Sequence, residues 1–148
     1  MSRQVPPWLV TALEEIGTTE VPGNANNPRV VEYHKATTLK ASLDSVPWCA
    51  AFCNWCLMQN RIVGTDSARA RSFLNWGTDV PLDKWKLGAI AVFSRGNNPA
   101  EGHVGFLLDV YGGMYDIISG NTSNRVRITK YGRQGLLGLR WPNVVPPL

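Results

Sequence analysis

The chain has 148 residues, a formal net charge of +4 and an isoelectric point near 9.2. That length fits one domain spanning 1–148, large enough to bury roughly two-thirds of its unfolded surface without a disulfide or metal staple. With 44% hydrophobic and 18% charged residues the composition excludes disorder, and no apolar run approaches the roughly 20 residues of a membrane-spanning helix.

The N-terminal stretch MSRQVPPWLV has neither the apolar core nor the small-residue cleavage site of a secretory signal, so the chain reads as a product made in the cytoplasm. Residues 6–16 form the first predicted helix, with Pro6 and Pro7 suited to its first turn and Trp8, Leu9, Ala12, Leu13 and Ile16 at helical spacing. A loop rich in Gly, Pro and Asn follows over 18–27. Pro28 opens a short helix to residue 35, and 36–47 is an irregular connection. Residues 49–60, CAAFCNWCLMQN, are apolar nearly all round and predict a buried central helix. Asp66 is a candidate N-cap for another helix over 67–76, closed by Gly77.

The second half changes character. Short Val-, Ile-, Phe- and Tyr-rich runs at 89–94, 103–110, 114–119 and 126–129 are separated by Gly or Asn turns, Gly112-Gly113 among them. Residues 137–141 can add another strand, and WPNVVPPL reads as a tail. Helices first and a meander after them predict an α+β domain, its helices packed on an antiparallel sheet.

All three cysteines lie between Cys49 and Cys56. An odd, clustered set is no disulfide framework. Cys49 opens the central helix, where unpaired N–H groups and the helix dipole favour thiolate and can receive an oxyanion. Cys53 and Cys56 lie deeper and read as inert core. A zinc-binding regulator is a competing class, but structural zinc sites use a C-x₂₋₄-C knuckle with a second ligand pair, and the other candidates here are His34 and His103. No metal or cofactor is therefore expected.

His103, in GHVGF, begins a strand and is flanked by Gly102 and Gly105. With a helix-start thiol it would form a Cys–His dyad, the imidazole taking the thiol proton and returning it to the leaving amine. His34 reads as a surface residue without a role. Such a dyad needs a partner for the second ring nitrogen. Asn121 ends the next strand, ~4.8 Å away in a meander. Glu20, Trp48 and Arg71 are candidates for lining the substrate cleft, and Arg69 or Arg71 could meet a carboxylate. Lys and Arg are scattered except over 125–133, which does not resemble a nucleic-acid interface. A general positive field suits an anionic wall or membrane surface better, without insertion into it.

Seven stretches carry a resemblance: EVPG…NNPRVVEYH, PWCAAFCNWCL, GTDSARARSFLNWG, AIAVFSRG, GHVGFLL, SGNTSNRV and LLGLRWP. In this order they resemble small phage and bacterial peptidoglycan hydrolases with CHAP-like, NlpC-related papain-type domains. The resemblance implies a papain-like half-barrel, an amide-cleaving triad on Cys49, His103 and Asn121, and bacterial peptidoglycan as substrate. Where such proteins usually carry Gly-Gly-Asn-Gln, this chain has Ser119-Gly120-Asn121-Thr122. The implied setting is a monomeric phage or prophage endolysin served by a holin. The alternatives are a secreted antibacterial effector amidase with an immunity protein, or an inactive peptidoglycan-binding module. Each would act in the periplasm or cell wall after release or delivery. The bond cut could be the N-acetylmuramoyl–L-Ala amide, the D-Glu–diaminopimelate bond or a cross-bridge.

Overall fold

In the computed structural model, residues 5–19, 27–37, 48–97, 99, 101–122 and 125–143 are described, the side chains of Asn121 and Thr122 excepted. Three helices precede a sheet: α1 (Pro7–Glu14), α2 (Pro28–His34) and α3 (Cys49–Gln59). The strands are β1 (Thr78–Asp79), β2 (Ile90–Ser94), β3 (Gly102–Tyr111), β4 (Met114–Thr122), β5 (Arg125–Gly132) and β6 (Leu136–Trp141). They form one antiparallel sheet in the order β1-β6-β2-β3-β4-β5. Thus β2 to β5 run as a meander, and the chain then returns to place β6 on the far side of β2. The α+β class expected from the element order is the one observed.

Period-two alternation divides the strands between two apolar layers. Val104 and Phe106 of β3 and Ile118 of β4 face the helices, packing with Trp8, Tyr33, Trp48, Phe52 and Leu57. Leu107, Tyr115 and Ile117 face the other way, joining Phe93 of β2 and Leu139 of β6. Because both faces of the central strands are covered, β2 is buried along nearly its whole length. Helix α3 lies across β3 and β4, with every residue from Cys49 to Leu57 buried.

Polar contacts fix the helices to each other. Trp8 Nε1 donates to the Gly88 carbonyl at 2.8 Å, fastening α1 to the approach of β2. Glu15 accepts from the Tyr33 hydroxyl at 2.6 Å and pairs with Arg29, while Glu32 accepts from Arg29 and from Trp55 Nε1 at 2.9 Å. These carboxylates satisfy the buried or half-buried donors of α2 and α3.

Two local expectations fail for tertiary reasons. Helix α1 stops at Glu14 because residues 17 and 18 leave it to pair with Val126, through Gly17 N–H to Val126 O (3.1 Å) and Val126 N–H to Thr18 O (2.8 Å). The helix expected over 67–76 is instead a 3₁₀ segment, Ala70–Asn75. Asp66 does not cap it but takes a left-handed conformation, φ 56°. Asn54, buried in α3, captures this loop: its Oδ1 accepts from Thr65 N–H at 2.7 Å and Asp66 N–H at 3.3 Å, and its Nδ2 donates to Ser67 O at 3.1 Å. Strand β1 is too short to show periodicity and is held by pairing with Arg140 and Trp141, with an Asp79–Arg140 ion pair beside it. Among the described residues no helix is long and apolar enough to cross a membrane.

Candidate active site

Cys49 is the first residue of α3, and Trp48 before it makes no side-chain cap. The amides at the helix start are therefore open to the sulfur. The thiolate form receives hydrogen bonds from the backbone N–H groups of Val104, Ala50 and Cys49 itself, and it feels the positive charge of Arg95. These interactions favour ionisation. Burial opposes them and wins: Cys49 is only 6% exposed, and its thiol lies above its ordinary range. The expectation that the helix start lowers the thiol pKa and favours the thiolate is thus corrected, because withdrawal from water outweighs the dipole and the amides. Cys53 and Cys56 are fully buried, pushed well above the ordinary thiol range mainly by burial, and belong to the core. Alkylation of Cys49 by iodoacetamide is expected to be slow at pH 7 and still accelerating past pH 9. A rate that levels off below pH 8 would contradict a protonated thiol in the resting protein.

His103 stands on β3 opposite Phe93 of β2. Its ring is 9% exposed. Nε2 is 2.8 Å from Ser119 Oγ on β4, and the ring stacks on Tyr131 at a centroid distance of 5.2 Å and 24° between planes. Burial, then the charge of Arg95, lower its pKa to about 4. The imidazole is therefore neutral at pH 7, the form a general base requires. Cys49 reaches β3 one residue past His103: the amide that hydrogen-bonds the sulfur belongs to Val104. The pair rests as neutral thiol and neutral imidazole, each held by its own surroundings.

What brings the helix start against the sheet is Gly120. A Cβ there would lie 2.7 Å from the Trp48 ring and 2.8 Å from Phe52 Cβ. Only a residue without a side chain lets β4 pass this close to α3.

An open cleft leads to Cys49, lined by Ala68, Arg69, Ala70, Arg95, Glu101 and Gly102. The loop held by Asn54 supplies Ala68 and Arg69, so that buried amide fixes one wall. Trp48 is not part of the cleft surface. It is fully buried, 5.7 Å from the Tyr33 ring and beneath Gly120, so it backs the start of α3 and cannot reach a ligand in the cleft. Arg71 lies at the rim, where its Nε donates to the Glu101 carbonyl at 2.5 Å and its stem packs by Gly102. It steadies the strand entry that carries His103, whereas Arg69 and Arg95 line the cleft. Asn121 has its backbone on β4, two residues beyond Ser119, and its side chain lies outside the described set. Glu20 also lies outside the described residues. His34, expected at the surface, is fully buried on α2.

Ser119, Arg95 and Tyr131 were not found from the sequence. Ser119 carried one signal, its position two residues before Asn121 and on the same strand. Arg95 and Tyr131 gave none, since their approach to the site depends on tertiary packing. Two other grooves lie around Arg61, Ile62 and Val63, near the far end of α3, and neither contains a cysteine or histidine. Among the described residues, no group of three or more His, Cys, Asp or Glu is placed to hold a metal ion.

The CHAP domain family model matches residues 41–121, more than half of the chain and a span that contains Cys49, His103 and Asn121. No curated protein matches in sequence. Among solved structures, the P60 domain of an antigen from M. avium subspecies paratuberculosis is similar in fold, with a TM-score of 0.59 at 15% identity over 90% of both chains. A lipoprotein-like NLP/P60 family protein from Staphylococcus aureus subsp. aureus Mu50 gives a TM-score of 0.54 at 16% identity. That match covers 90% of this chain but 40% of the staphylococcal one. The architecture is accordingly the papain-like one of NlpC/P60 domains.

Proposed function

The chain belongs to the CHAP domain family, and on that premise we propose that it hydrolyses an amide bond of the peptidoglycan stem peptide, with Cys49 as nucleophile and His103 as base. The single observation that carries this assignment is the placement of a helix-start thiol on the amide of Val104, the residue that follows the buried, neutral His103 on β3.

The chemistry follows from those two neutral groups. As Cys49 Sγ attacks the scissile carbonyl carbon, its proton passes to His103. The oxyanion that forms is received by the open amides at the start of α3. Collapse breaks the C–N bond, and His103 returns the proton to the departing amine. A water, deprotonated by His103, then attacks the thioester and releases a carboxylate product and the free thiol. Asn121, by the resemblance of its SGNTSNRV segment, is proposed as a polar residue that helps orient the imidazole.

Arg69 and Arg95 suit a substrate bearing carboxylates, as stem peptides do, because guanidinium groups bind carboxylates in bidentate fashion. Arg95→Gln or Arg69→Gln is expected to raise KM roughly 10-fold and to weaken the salt dependence of turnover. An unchanged KM in both variants would remove these residues from substrate binding. The biological setting proposed is a phage or prophage endolysin admitted to the wall by a holin. A bacterial effector with the same chemistry and an immunity protein is the alternative. Purified protein should solubilise sacculi, and mass spectrometry of the released muropeptides identifies the bond cut. Intact sacculi after incubation with active-concentration protein would refute the assignment.

A further inference from the structure

We propose that Ser119 is the residue that fixes which nitrogen of His103 serves the thiol. This inference rests on the assignment of His103 as the base of Cys49.

Stacking alone leaves the ring undetermined. Tyr131 lies against one face of His103 at 24° and itself stacks on Phe93 at 27°, with centroids 4.9 Å apart. That column fixes the plane of the imidazole. A rotation of 180° about χ2 keeps the same plane while exchanging each nitrogen with a ring carbon, so stacking cannot separate the two orientations. A directional hydrogen bond can. Ser119 Oγ lies 2.8 Å from Nε2, within the buried layer and with Ser119 itself fully buried.

The strands bring the serine there by a specific device. Gly105 shares a face of β3 with His103. A Cβ on Gly105 would lie 2.8 Å from Ser119 Cβ and 2.7 Å from the Ile118 carbonyl oxygen. The bare glycine lets β4 close in, and the His103 ring reaches Ser119 over the space a side chain would have filled.

The contact fixes the ring so that Nε2 faces Ser119 and Nδ1 faces away. In the tautomer proposed, Nε2 keeps its hydrogen and donates it to Ser119 Oγ. Nδ1 carries the lone pair, accepts the thiol proton during attack and gives it to the leaving amine, while the Nε2–H bond to Ser119 persists throughout. A hydroxyl supplies this orientation without a negative charge, which is consistent with an imidazole that stays neutral at rest.

Ser119→Ala, Ser119→Thr and Asn121→Ala test the proposal in two ways. The chain has only two histidines, so long-range proton–nitrogen spectra of histidine-labelled protein report the His103 tautomer directly. Wild type and Ser119→Thr are expected to hold the Nε2–H tautomer, and Ser119→Ala to populate both. Hydrolysis by Ser119→Ala is expected to fall in kcat roughly 10–100-fold with little change in KM, and Ser119→Thr to recover most of it. A Ser119→Ala protein with an unshifted tautomer and wild-type kcat would overturn the proposal. So would a tautomer change in Asn121→Ala alone. If the wild-type protein hydrolyses no peptidoglycan, the functional assignment fails separately, and the tautomer measurement still decides the role of Ser119.

Discussion

His103→Gln is expected to lower hydrolysis at least ~10³-fold while the protein remains folded. Glutamine keeps a similar volume and can still hydrogen-bond Ser119, but it cannot take the thiol proton. Because Cys49 rests protonated, removing the imidazole deprives the thiol of its proposed proton acceptor. Had the thiol been strongly ionised at rest, loss of the histidine would affect mainly the leaving-group step.

The same two groups set the pH dependence. His103 titrates at about 4, and the Cys49 thiol lies above its ordinary range. Hydrolysis (kcat/KM) is therefore expected to be flat from about pH 5 to about pH 9, without the step near 6.5 that an exposed histidine would produce. Stability moves with the same group. In the unfolded chain His103 binds its proton near its ordinary 6.5, in the folded chain only near 4. Unfolding takes up a proton throughout that window. The stability associated with the neutral ring is complete above about pH 6.5 and is lost as pH falls toward 4. His103→Gln should flatten this acid dependence, which thermal melts at a series of pH values would reveal. An equally steep acid loss in the variant would show that other groups cause it.

Gly120→Ala is expected to damage both fold and site. The added methyl meets the Trp48 ring at 2.7 Å and Phe52 at 2.8 Å. Both side chains are fully buried, and neither offers a flexible end that can swing aside. Overpacking of this kind costs roughly 1–3 kcal/mol, and about 1 kcal/mol lowers Tm by roughly 2–4 °C in a chain of this size. A drop of several degrees is therefore expected. Activity should fall further than stability accounts for, since relief of the clash moves the start of α3 away from β3, and with it Cys49 from the Val104 amide. Retained Tm and full activity would mean that β4 and α3 are not in the close contact described.

Much of the architecture can be read from the chain because its signals are local. The apolar run of α3 admits no exposed face. The strands of the meander alternate, and a Gly-Gly pair marks the turn at 112–113 between β3 and β4. The segment at 66–76 was misread because its determinant is remote: Asn54, a polar residue inside an apolar helix, captures the loop backbone from below. That residue was itself a clue, since an amide buried in such a helix needs partners. At the site, Cys49 and His103 stand out by position within their elements, one at a helix start and the other at a strand start. The ionisation of the thiol does not, because it is decided by burial that only the assembled layers create. Trp48 and Arg71 were assigned to the cleft by proximity in sequence, whereas one turns into the core and the other grips a carbonyl at the rim. Ser119 required knowledge of which face of β4 meets which face of β3, and Gly105 provides the room for that meeting.

The most direct measurement of the central assignment is a time course of new amine and new reducing ends released from purified sacculi by the wild-type protein and by Cys49→Ala. The expected result is release of amine without reducing ends by the wild type, and no release by Cys49→Ala, because amide hydrolysis frees an amine and leaves the glycan intact. Amine release by Cys49→Ala at the wild-type rate would contradict a cysteine nucleophile, and no release by either protein would point to a wall-binding module in place of an enzyme.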